Sequence, residues 1–227
     1  MTPFLLVLSA PSGGGKTSIA KRLMQARGDL GYSVSATTRA IRQGERDGVD
    51  YHFVTRSEFE RRQKSGEFLE WATYAGELYG TLSSEVEKIF ARGQNAVLDV
   101  EIEGARQIRR KMSNALLVFV LPPSAEELLR RLTGRKTEDP AVLRQRVLRA
   151  ADELAAVEEY DYLVVNDDLD DAVSQVAAIL EAESARTARR DDLTQFVLQE
   201  LRHDVLAAAE KIGKQSPIAS RQSQERR

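Results

Sequence analysis

Phe4-Leu-Leu-Val-Leu-Ser-Ala-Pro-Ser-Gly-Gly-Gly-Lys-Thr17 is the stretch that decides the fold. Its first half, residues 4–9, is apolar on both faces, as a strand covered by helices on each side must be. The glycines that follow let the backbone wrap closely, so successive N–H groups point at one small anion. Residues 16–27 read as a helix whose N-terminus adds positive potential at the same place. The stretch meets the pattern G-x-x-x-x-G-K-[ST], except that Ala10 stands at the first glycine. Ala10, Pro11, Ser12, Gly13, Gly14, Gly15, Lys16 and Thr17 are therefore the candidate phosphate-binding loop for a nucleoside triphosphate. Lys16 would reach the β- and γ-phosphates, and the Thr17 hydroxyl would sit on Mg²⁺. A glycine-rich turn without a ligand is the bland alternative. Gly15-Lys16-Thr17 at a strand–helix junction argues against it.

Further buried runs follow at 95–100 (NAVLDV), 115–121 (ALLVFVL) and 161–165 (DYLVV), with helical patterns between them. Ser84 with Glu87, and Ser124 with Glu127, have the capping-box spacing, and Asp139-Pro140 marks another helix start. The alternation predicts an α/β fold with an open, mostly parallel sheet flanked by helices. Residues 32–81 break the rhythm with short alternating stretches and a polar loop, and read as a small mixed α/β insertion. Residues 134–139 (GRKTED) read as a charged loop between helices. Near the C-terminus, Leu193, Val197, Leu201, Val205 and Ala208 form a stripe, either packed on the body of the protein or a homo-oligomer face. Residues 214–227 are polar and read as disordered.

Composition narrows the function classes. In 227 residues, 33 basic and 35 acidic side chains leave a net charge of −2, which argues against a domain that coats nucleic acid. Zero cysteines exclude disulfides, thiolate metal sites and a cysteine nucleophile, and two histidines are too few for an all-histidine metal site. No run approaches the ~18 apolar residues of a membrane span, and the N-terminus lacks a secretory signal, so a cytoplasmic location is expected. Asp99, at the carboxyl end of NAVLDV, and Glu101 lie where open α/β sheets bind ligands. There Asp99 could hold a metal-bound water; a solvated strand end is the alternative.

The segments after the loop carry a resemblance. Ser33-Val-Ser-Ala-Thr-Thr-Arg39, then Arg42, Gly44-Glu45, Asp47-Gly48 and Asp50-Tyr51, resemble the GMP-binding signature of guanylate kinases. Gly66-Glu-Phe-Leu-Glu-Trp71, Tyr79-Gly-Thr81, Leu98-Asp99, Phe119-Val-Leu-Pro-Pro-Ser124 and Val164-Val-Asn-Asp-Asp168 continue it in order. The resemblance covers roughly residues 4–185. It implies the P-loop kinase fold: a core of residues 1–31, 82–133 and 147–185, a GMP-binding region at 32–81, and a lid at 134–146. A helical extension, 186–213, follows. The implied reaction is ATP + GMP ⇌ ADP + GDP with Mg²⁺, and dGMP as a further acceptor.

The site residues follow from it one by one. Arg39 and Arg42 would clamp the GMP phosphate with paired donors, and the Tyr51 and Tyr79 hydroxyls would complete that shell. Glu70 would accept from N1–H and the N2 amine of guanine, with Ser35 and Thr81 facing O6 and N7. Asp99 and Glu101 would complete the GMP contacts. Lys16, Arg39, Arg131, Arg135 and Arg146 would meet the charge of the migrating group, and Asn166 would lie near the adenine. Prolines are frequent where Ile41 and Gln43 stand, glycine where Lys136 stands, and aspartate where Glu101 stands. Two rivals are a scaffold-type guanylate-kinase-like domain that binds peptides and a P-loop kinase for a sugar phosphate. The intact loop with Arg131, Arg135 and Arg146 argues against the first; Ser35, Glu70 and Thr81 argue against the second.

Overall fold

In the computed structural model, residues 2–74, 76–133, 140–190 and 193–214 are described. Leu5–Ser9 forms β1, buried along its whole length, and Lys16–Ala26 forms α1. Leu30–Tyr32 (β2), Asn95–Asp99 (β7), Leu116–Leu121 (β8) and Tyr162–Val165 (β9) join β1 in a parallel sheet of order β2-β7-β1-β8-β9. The period of two along β1 feeds both faces. Leu6 and Leu8 pack with Ile19 and Leu23 of α1 and with Val176 and Leu180 of α7 (Leu169–Ser184). Leu5 and Val7 pack with Val86 and Ile89 of α3 (Ser83–Ala91) and with Ala105 and Ile108 of α4 (Ile102–Lys111). Each such fully buried side chain stabilises the fold by about 1.5–3 kcal/mol.

The insertion carries its own sheet. Ala36–Thr37 (β3), His52–Phe53 (β4), Phe68–Tyr74 (β5) and Glu77–Leu82 (β6) stand in the order β4-β3-β6-β5. The β3–β4 pair is parallel, whereas β3–β6 and β5–β6 are antiparallel. The helix α2 (Arg56–Lys64) covers it, with the Phe59 and Phe68 rings stacked at 4.3 Å. After β8 come α5 (Ala125–Thr133) and α6 (Pro140–Leu154), joined through Leu128, Leu132 and Ala150.

The expected helix starts fare differently. Ser124 Oγ accepts the Glu127 N–H at 3.1 Å, as its spacing predicts, and α6 begins at Pro140. The Ser84–Glu87 box does not form: α3 starts at Ser83, its cap residue is Leu82, and no side chain caps it. Leu82 is held in the insertion's core, so the strand runs directly into the helix and leaves no room for a cap at Ser84.

The chain divides into two compact units, residues 3–181 and residues 182–227 together with 1–2. Within the second unit Glu183 pairs with Arg189 at 3.1 Å and with Arg186 at 3.2 Å, and Thr2 N–H donates to the Arg189 carbonyl. A helix, α8, spans Leu198–Lys214. Among the described residues no helix is long and apolar enough to cross a membrane. The first part of the expected lid, 134–139, and nearly all of the expected tail lie outside the described residues; the rest of the lid, 140–146, forms the first turns of α6.

Candidate active site

The loop between β1 and α1 closes on itself before it meets any ligand. Gly14 N–H donates to the Pro11 carbonyl at 2.8 Å. Ala10 is fully buried in the core, and a Cβ on Gly14 would stand 2.6 Å from the Ala10 Cβ. The methyl that replaces the first glycine thus uses the space that Gly14 leaves free. Gly15 has φ +96° and caps α1; a Cβ there would collide with the Asn166 Nδ2. Asn166, buried at the end of β9, donates to the Gly14 carbonyl at 3.0 Å. It braces the loop from behind.

Sheet order brings the acidic residues to this loop, because β7 lies beside β1 with Asp99 in register with Leu8. The Thr17 hydroxyl donates to Asp99 at 2.6 Å, and the Tyr32 hydroxyl donates to the other oxygen. Desolvation, together with the facing Asp99 carboxylate, pushes the Tyr32 phenol up. Lys16 Nζ lies 2.8 Å from Glu101, whose other oxygen is 3.6 Å from Arg149 on α6. Arg149 also donates to Glu153 at 2.9 Å, and Glu153 accepts the Ser12 N–H of the loop at 3.0 Å. A chain of charge therefore runs from loop to α6 and back to Lys16.

Among the described residues no group of three or more His, Cys, Asp or Glu side chains could hold a metal ion. A hydroxyl and one carboxylate, Thr17 and Asp99, are nevertheless what a magnesium ion uses when nucleotide phosphates supply its other ligands.

The insertion places a second group of residues in the same unit. Glu70, on β5, is 6% exposed and accepts from the Thr81 hydroxyl at 2.7 Å. Burial pushes its carboxyl up, while the Thr81 hydrogen bonds and Lys111 pull it down. A Cβ on Gly104 would come within 2.9 Å of Glu70 Oε2, so α4 leaves this carboxylate its space by having no side chain there. Arg39 is gripped by Glu45 through both guanidinium ends, at 3.0 and 2.8 Å, and lies 5.5 Å from the Tyr51 ring centre. Tyr51 stands edge-on to Tyr79 at 5.9 Å. Glu45 also accepts the Arg42 N–H, so one carboxylate shapes the arginine loop. Ser35 sits half-buried just before β3, its carbonyl accepting the His52 N–H.

Of the expected arginines, Arg131 reaches the loop. Its guanidinium pairs with Glu127 at 2.6 Å and donates to the Asn166 carbonyl at 3.1 Å and the Gly14 carbonyl at 3.5 Å. Arg130 and Arg131 together hold the Glu127 carboxyl at about 2. Arg146 donates to the Leu132 carbonyl at 3.4 Å, on the α5 side. Arg135 lies outside the described residues. Tyr32, Glu45, Gly104, Arg149 and Glu153 join the site without having been singled out for it. Only Glu45 carried a local signal, as part of the Gly44-Glu45 pair; the others depend on contacts made by distant parts of the chain.

Comparison with known proteins identifies the family. The family model described as guanylate kinase matches residues 3–183. A guanylate kinase of Alkalilimnicola ehrlichii is 45% identical over 197 residues, covering 87% of this chain and 97% of the relative. One from Thermotoga maritima is 44% identical over 188 residues, 83% of this chain and 91% of the relative. The crystal structure of guanylate kinase from Anaplasma phagocytophilum superposes with a TM-score of 0.69 at 35% identity, over 85% of this chain and 92% of that one. A family match over residues 3–183 and relatives at 45% identity place it: the chain belongs to the guanylate kinase family.

Proposed function

We propose that the protein transfers the γ-phosphoryl group of ATP to GMP, and to dGMP, giving ADP and GDP. The observation that carries this reading is Glu70: a buried carboxylate with a hydroxyl beside it, on the insertion next to a phosphate-binding loop. Guanine offers two adjacent donors, N1–H and the N2 amine, to one carboxylate. Adenine offers no such pair, so the wrong base leaves Glu70 desolvated and unmatched. Thr81 and Ser35 supply hydroxyls for the O6 and N7 edge.

The chemistry asks little covalent work of the protein. An anionic oxygen of the GMP phosphate attacks the γ-phosphorus, and the bond to the β–γ bridging oxygen breaks in line, releasing ADP. No general base is required, because the attacking oxygen carries no proton. Arg39, preset by Glu45, and Arg42 hold the acceptor phosphate with Tyr51 and Tyr79. Lys16 exchanges Glu101 for the β- and γ-phosphate oxygens, and Arg131 and Arg146, with Arg135, meet the developing charge. Thr17 and Asp99 would hold a magnesium ion, directly and through water, which would neutralise charge on the transferring phosphates. We place this activity in the cytoplasm, where both nucleotides are present.

The test is a coupled ADP-release assay with GMP, dGMP, AMP, UMP and a ribose phosphate as acceptors. Rapid turnover is expected with GMP and dGMP. Turnover with AMP or the ribose phosphate and none with GMP would overturn the reading.

A further inference from the structure

The C-terminal helix α8 carries a seam whose spacing fits a second helix better than a flat surface. Leu198, Leu201, Val205, Ala208 and Ile212 recur at alternating intervals of three and four residues. These are the a and d positions of a heptad, with an average period of 3.5. A helix lying on a globular core uses a wider stripe at a period of 3.6. The large members of the seam are all open: Leu198 is 53% exposed, Leu201 57%, Val205 60% and Ile212 68%. The family match ends at residue 183, so this helix lies outside the part that carries the kinase signature.

Charge selects the orientation of the partner. The flanking g positions hold Asp204 and Lys211, and the e positions hold Arg202 and Ala209. A parallel pair in register faces each g with the e position five residues on. That sets Val197 against Arg202 and Asp204 against Ala209, and makes no ion pair. An antiparallel pair with Leu201 opposite Ile212 and Val205 opposite Ala208 faces g with g. It places Asp204 beside Lys211 of the second copy, twice by symmetry, and brings no like charges together. Sliding the pair so that Leu201 faces Val205 instead sets Asp204 against Asp204 and Arg202 against Arg202.

We propose that α8 joins two copies of this chain as an antiparallel, two-fold helix pair, in the register that pairs Asp204 with Lys211. The same patch serves both copies, so the assembly closes at a dimer. A helix of 17 residues spans about 25 Å, which makes a short seam and a reversible association. The inference does not rest on the assignment of the phosphoryl acceptor, and its readouts are mass and cross-linking.

The chain has no cysteine, so introduced ones report position cleanly. In the full-length protein, Leu201→Cys with Ile212→Cys is expected to oxidise to a covalent dimer. Leu201→Cys alone is expected not to, because the two sulfurs would be about 16 Å apart along the seam, beyond disulfide reach. Sedimentation of the native chain should show a concentration-dependent monomer–dimer equilibrium, abolished by Val205→Asp with phosphoryl transfer retained. Asp204→Lys should weaken the dimer roughly ten-fold, and adding Lys211→Asp should restore it. A native chain that stays monomeric at every concentration, or a Val205→Asp dimer as stable as the native one, would overturn the proposal. Equal cross-linking by Leu201→Cys alone would overturn the antiparallel register.

Discussion

Burial raises the Glu70 carboxyl against the pull of Thr81 and Lys111, and this has a consequence for stability. A carboxyl raised in the folded state binds its proton more readily there than in the unfolded chain. The resulting penalty is absent below the ordinary glutamate range and complete once pH exceeds the folded value. Glu70→Gln keeps an acceptor for the Thr81 hydroxyl and removes the charge. Its melting temperature in the absence of nucleotide should exceed that of the native chain at pH 8. The gain should vanish as pH is lowered to 4. Thermal melts at the two pH values check this, and a variant less stable at pH 8 contradicts it. With the role proposed for Glu70, stability and guanine recognition would be opposed at this one side chain. At the same scale Ala10 shows what local reading could reach. The departure from glycine was visible in the sequence; that Gly14 makes room for its methyl was not, since only the folded loop sets the two at 2.6 Å.

At the scale of elements, β1, β7 and β8 were legible because a parallel strand covered on both faces is a continuous apolar run. β9 was read from the same pattern, but as an edge strand it leaves Leu163 and Val165 exposed, and the three-residue β2 was not read at all. The phosphate loop was legible because its chemistry is local. The cap at Ser84 misled for a physical reason: packing of Leu82 in the insertion's core outweighs a surface cap worth about 1 kcal/mol. Arg149 is one of several arginines on α6 with no local mark of its own; its partners are Glu101 and Glu153, and through them α6 touches the loop. Sequence carries no signal for such contacts between distant segments. They make α6 a support of the loop proposed to hold ATP. Glu153→Ala would leave the Ser12 N–H without its acceptor and release Arg149. Steady-state kinetics at saturating GMP should show the KM for ATP raised roughly ten-fold, with the KM for GMP nearly unchanged. Equal effects on both substrates would mean that Glu153 supports the fold in general and not the loop.

At the scale of residues 3–181 as a unit, two sheets divide the labour. The parallel sheet presents the phosphate loop and Asp99 at its carboxyl ends, and the small mixed sheet presents Glu70, Thr81, Tyr51 and Tyr79. On the proposed function neither set would complete the site alone, and the acceptor would help to assemble it. ATP hydrolysis without GMP is therefore expected at no more than about one hundredth of the transfer rate, measured by phosphate release. Vigorous hydrolysis in the absence of GMP would show that water reaches the γ-phosphoryl group freely.

If the buried Glu70 carboxylate selects the base, the ratio of kcat/KM for GMP to that for AMP must differ between the native chain and Glu70→Ala. The ratio should fall roughly 10²-fold or more in the variant, through loss with GMP. A native-like preference for GMP in Glu70→Ala would contradict the account.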